Sequence, residues 1–146
     1  MFIDGEMLFS DAQAITADAA STNLMDLGVA QRRLGTGNNI YCALIVDVAL
    51  TDAGSTSFIT VTMEQDDSSS FGSATAIQTL FVVPALSAIG AKFIARLAPS
   101  VITERYIRLK YTMTNGDLTT GTVTAFLTDT VDDTFHYADA RTLDPQ

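Results

Sequence analysis

Apolar and polar residues alternate with a period of two along much of the chain, and that period predicts β-strands. From Ser57 to Gln65, Ile59, Val61 and Met63 fall on one face and Thr60, Thr62 and Glu64 on the other. From Glu104 to Met113 the split repeats, with Ile107, Leu109, Tyr111 and Met113 set against Arg108, Lys110 and Thr112. Thr120 to Thr130 puts Val123, Ala125 and Leu127 together. Ile40 to Leu50 is almost continuously apolar, the pattern of a strand buried on both faces. Ala74–Val83 and Lys92–Leu97 are two more strands, closed by Pro84 and Pro99. Turn chemistry separates these runs at Thr51-Asp-Ala-Gly-Ser55, at Asp66-Asp-Ser-Ser-Ser70 and at Asn115-Gly116. Twenty threonines add the β-branching that strands favour. Strands recurring every 10–18 residues or so predict an all-β fold. A jelly-roll-like β-sandwich of about eight antiparallel strands suits this length.

The ends of the chain are less regular. Ser10 to Ala20 is rich in alanine and lacks an apolar stripe at helical spacing, so it reads as a short helix or an extended arm. Residues 131–146 are acidic and aromatic without a clear period. The reading is one domain over 1–146, with extended terminal segments: an N-terminal arm (1–20) and a C-terminal tail (131–146).

Composition narrows the function. The chain has 146 residues, 47% of them hydrophobic and 17% charged. The mean hydropathy of +0.25 is apolar for a soluble domain, and points to apolar surface that meets a protein partner. Net charge is −9, from 17 acids against 8 bases. That balance opposes direct nucleic-acid binding, which needs clustered Lys and Arg. No apolar run is long enough to span a membrane as a helix. The first residues carry Asp4 and Glu6 and lack a basic n-region, so they make a poor secretory signal and predict use without export.

Catalytic and metal chemistry has little to build on. Cys42 is the one cysteine and His136 the one histidine. That excludes an internal disulfide framework, a multi-cysteine metal cluster and the several histidines of a cupin-type metal site. Asp132 and Asp133 beside His136 form the single acid–histidine group, in a segment with no register to hold it. Asp66-Asp67 with three serines reads as a loop rather than a calcium site. Gly35-Thr-Gly37 lacks the lysine and the helix of a phosphate loop. Cys42, inside an apolar strand, reads as a buried, inert thiol. The expectation is a non-enzyme with no cofactor and no metal. Arg105, Arg108 and Lys110 are the densest basic cluster. They serve either a neighbour's acidic segment or a solvated sheet face.

Four segments resemble a known family. They are Ser10-Asp-Ala-Gln-Ala-Ile-Thr16, Ala20-Ser-Thr-Asn-Leu-Met-Asp-Leu-Gly28, Glu104-Arg-Tyr-Ile-Arg-Leu-Lys-Tyr-Thr112 and Gly121-Thr-Val-Thr-Ala125. In order and spacing they are similar to the capsid cement (decoration) proteins of tailed bacteriophages, of the type first seen in a Bordetella phage. The resemblance implies a jelly-roll-like protein made in the host cytoplasm and bound to the outer capsid surface of the virion. Its implied partners are a major capsid protein with the HK97-type fold and itself, as a homo-oligomer that clamps neighbouring capsomers, a dimer favoured over a trimer. Residues 131–146 match the family least well.

Such a role needs no catalysis. A protein that binds only the assembled lattice stabilises it by mass action, and many copies add modest contacts together. Met1, Phe2, Ile3, Leu8 and Phe9 are the first candidate contacts, apolar residues crowded beside acids; the other reading has Phe2, Ile3 and Phe9 covering the sandwich's own open end. Phe135 and Tyr137 are candidates in the tail. Deleting residues 1–9 is expected to weaken attachment and leave the β fold intact. A carbohydrate- or receptor-binding jelly roll is the alternative, but such sites present exposed aromatics. The chain has no Trp, and Tyr41, Tyr106, Tyr111 and Tyr137 are scattered.

Overall fold

Six of the strands lie where the alternation predicts them. A computed structural model describes residues 5–28 and 39–129. It contains β1 (Leu8–Ala14), β2 (Ala19–Ala20), β3 (Met25–Asp26), β4 (Ile40–Thr51), β5 (Phe58–Asp66), β6 (Thr75–Pro84), β7 (Lys92–Leu97), β8 (Tyr106–Thr114) and β9 (Thr120–Thr128). Single 3₁₀ turns stand at Gly5–Met7 and Pro99–Val101.

The strands form two antiparallel sheets. One has the order β1-β9-β4-β7; the other has β2-β8-β5-β6, with β3 also paired to β8. β2 and β3 together make one interrupted strand along β8. Counted so, each sheet has four strands, in the order that two interleaved Greek keys give. The expected jelly roll is therefore the observed fold.

The inward faces are the predicted ones. Cys42, Leu44 and Val46 of β4, with Val123, Ala125 and Leu127 of β9, meet Ile59, Val61 and Met63 of β5 and Ile107, Leu109 and Tyr111 of β8. Fully burying a large apolar side chain contributes about 1.5–3 kcal/mol, so these paired stripes hold the sheets together. β4 departs from the expectation of burial on both faces. Its outward Ala43 is buried, but Val48 is exposed. Register shifts on both sides of Val48 turn that residue toward solvent, and Leu50 beyond it returns to the core.

The N-terminal stretch is neither a helix nor, from residue 8 onward, an arm. Leu8–Ala14 is an edge strand on β9, with register shifts at Phe9 and again before Gln13. The first shift turns Phe9 and Ser10 inward together, and both are buried. From Ala14 the chain crosses to the other sheet. Ile15 N–H donates to Gly121 O, and Ser21 N–H donates to Leu109 O. This strap closes one side of the sandwich. On the other side Gln78 joins the edges: its Nε2 donates to Arg96 O, and its Oε1 accepts from Ala98 N–H. That amide occupies part of the β7 edge, which would otherwise be open to strand pairing.

Candidate functional site

The strap is organised around Gln13. Its Nε2 donates to Ala20 O at 2.8 Å, and its Oε1 accepts from Thr22 N–H at 2.8 Å. Those partners fix the amide's orientation. Ser10 Oγ must then donate to Gln13 Oε1, at 2.7 Å. The Tyr111 hydroxyl, 2.7 Å from Ser10 Oγ, is left as the donor to it. Burial pushes the Tyr111 phenol pKa up, partly offset by Ser10. Ser21 Oγ donates to Asn23 O and accepts from Leu109 N–H. Asn23 Nδ2 donates to Leu8 O. These residues come from three of the segments that carry the family resemblance. Here they fasten the chain to itself, and their polar atoms are consumed inside the fold.

The basic cluster is divided. Arg105 makes a two-pronged pair with Asp26, Nε to Oδ1 and Nη2 to Oδ2, both at 2.8 Å. The guanidinium, backed by the Gly28 N–H, holds the Asp26 carboxyl at about 2, below its ordinary 3.8. Arg108 lies on the outward face of β8. It pairs with Glu64 at 3.0 Å and sits 4.1 Å over the Phe71 ring. Lys110 shares that face and forms no ion pair among the described residues. Arg105 and Arg108 thus each pair with a carboxylate of their own chain while staying partly exposed.

Phe9 is a correction to the docking candidates. It is 1% exposed and belongs to the core, as the covering reading had it. Leu8 is half-buried and pairs in register with Phe126. Phe126 and its neighbour Ala43 are buried on the side of the sheet away from the core, and the Gly5–Met7 turn lies against β9. Deleting residues 1–9 would thus remove a core side chain and the start of β1, so a loss of stability is expected from it beside any loss of attachment. Met1, Phe2, Ile3, Phe135 and Tyr137 lie outside the described residues, as do Asp132, Asp133, His136, Gly35 and Gly37.

The remaining chemical candidates have structural roles. Cys42 is fully buried, and burial pushes its thiol up to about 12. Asp66 accepts from Ser68 N–H and Ser73 N–H, so its carboxylate shapes the β5–β6 loop. Asp52 does the same for the β4–β5 turn. The N–H groups of Gly54, Ser57 and Thr56 hold it at about 2, below 3.8. Among the described residues no three His, Cys, Asp or Glu side chains come together as a metal site, and no helix is long and apolar enough to cross a membrane.

The two most exposed of the large apolar side chains among the described residues share one loop that the alternation did not single out. Leu86 and Ile89, in the β6–β7 loop, are 58% and 71% exposed, and Val48 of β4 is 49% exposed. Backbone hydrogen bonds set this loop alongside β4, from Leu86 N–H to Leu50 O and from Gly90 N–H to Val46 O. Val48 lies midway between the two anchor points. The signal in the sequence was an uncharged apolar run, Pro84-Ala-Leu-Ser-Ala-Ile-Gly-Ala91, where loop chemistry would favour polar residues.

The Bbp16 family model matches residues 9–127. The chain belongs to the Bbp16 family. The match runs from the first core residue of β1 to the last of β9, so family membership covers both sheets of the sandwich. Bbp16 is the name of a Bordetella phage protein family, and membership points to a virion-associated structural protein of a phage. No curated protein matches this Bbp16-family chain. A solved structure titled "Structure of infectious bursal disease virus Gx strain" is similar to it, with a TM-score of 0.47 and 13% identity. That similarity covers 83% of this chain and 30% of the other.

Proposed function

We propose that this protein is a cement protein: it binds the outer surface of a capsid shell of HK97-type subunits and ties neighbouring capsomers together, without catalysis. The observation that carries the reading is membership of the Bbp16 family across the whole sandwich. The structure adds physical support. The two sheets share one apolar core, and both sides of the sandwich are fastened, by the strap and by Gln78. Such a body transmits load between two contacts with little deformation. A ligand that binds the assembled lattice better than its free subunits stabilises the lattice in proportion to that difference. Many copies, each with a modest contact and assembled as dimers, then resist the outward pressure of packaged DNA.

The test is sedimentation of the purified protein with empty shells before and after expansion. Retention on expanded shells and loss from precursor shells is the expected result. Equal binding to both, or to neither, would contradict the reading.

A further inference from the structure

We propose that the β6–β7 loop is the docking element, seating Leu86 and Ile89, with Val48 beside them, in an apolar depression of the shell rimmed by Lys or Arg. This rests on the cement reading and assigns that reading a face and a partner chemistry.

The loop is costly to the free molecule. Leu86 is mostly exposed and stands at φ 67, the left-handed region that a leucine rarely occupies. Its N–H anchors the loop to Leu50 O, but its side chain stays in solvent and adds little to the core. Even so, the loop is rigidly held. Ala91 N–H donates to Ala88 O, closing a turn with Gly90 at φ 81 in its third position, where a type II turn needs glycine. Ser87 Oγ donates to Pro84 O at 2.7 Å. Leu50 N–H donates to Ser87 O and Val46 N–H to Ala91 O. Apolar side chains held out on a pinned loop lose little conformational freedom when they bind. An exposed and strained position points to use by a partner.

Charge selects the partner. The β6–β7 loop shares its end of the sandwich with the β1–β2, β4–β5 and β8–β9 connections. Leu118 N–H donates to Thr16 O, Thr119 N–H to Thr51 O, and Ala85 N–H to Ser57 O. Those connections carry Asp18, Asp52 and Asp117 and no base, and the nearest base along the chain is Lys92 at the head of β7. A second copy docked by the same face would oppose acids to acids. A basic rim around an apolar hollow complements it.

The experiment measures binding of the full chain to expanded shells of the encoding phage prepared without it. The variants are L86S/I89S, L86G and, as a control, V101S, at an exposed position on the opposite end. Expected are about tenfold weaker binding by L86S/I89S, wild-type affinity for V101S within about twofold, and binding that weakens with salt. L86G should bind less tightly while its unfolding midpoint stays at or above the wild-type value, since glycine suits the left-handed backbone. Undiminished binding by L86S/I89S overturns the assignment of this face and leaves the cement reading standing. A wild-type protein that does not bind overturns both. If L86S/I89S splits a wild-type oligomer into monomers, the loop seats a second copy and the inference is wrong.

Discussion

Single side chains hold the strap in place, and their removal should be measurable. Ser10 Oγ stands between Gln13 and Tyr111 in a fully buried position. Replacing it by alanine leaves the Tyr111 hydroxyl without its acceptor. Ser10→Ala is expected to destabilise by about 1–3 kcal/mol in urea unfolding. Ser10→Ala with Tyr111→Phe should cost less than the two single changes added, because the second removes the orphaned donor. Asp26 makes a prediction about pH. Its carboxyl is held at about 2 in the folded chain against an ordinary 3.8. A depressed carboxylate contributes stability above the ordinary value, and that contribution disappears as pH falls from 3.8 to about 2. Asp26→Asn should flatten the pH dependence of unfolding in that window without abolishing it, since Asp52 is also held at about 2.

Among the elements, the long strands were legible because one face of each is buried and the other is not. Period two then writes the core directly into β5, β8 and β9. β1 was hidden for a physical reason. Its two register shifts put Phe9 and Ser10 on the same side, so the alternation that marks a strand is broken where the strand begins. β2 and β3 have two residues each, too few to show a period. The ion pairs of Arg105 and Arg108 were illegible because Asp26 and Glu64 are distant in sequence and meet them only across paired strands. The exposed β6–β7 loop has no period: its apolar residues, Leu86 and Ile89, stand three apart in a run without charge. At the close approach of β9 to β4, Gly121 stands at φ 147, and a Cβ there would overlap the Leu50 side chain and come within 3.2 Å of its Cα. Gly121→Ala should therefore destabilise by about 2 kcal/mol or more, read from the denaturant midpoint, because backbone strain and overpacking add.

For the whole molecule, the chain is a stiff two-sheet body whose family motifs serve the inside and whose loops supply the outside. The strap residues Ser10, Gln13, Ser21 and Asn23 make the body. The uncharged β6–β7 loop and its acidic surroundings give it a face to present. The proposed cement role would use this division, with the body as spacer and the loops as contacts. The most direct measurement is the copy number of this chain, relative to the major capsid protein, in purified DNA-filled heads. The cement account predicts a ratio near one, with the chain accessible to labelling from outside the particle; mature heads that contain none of it would contradict the account.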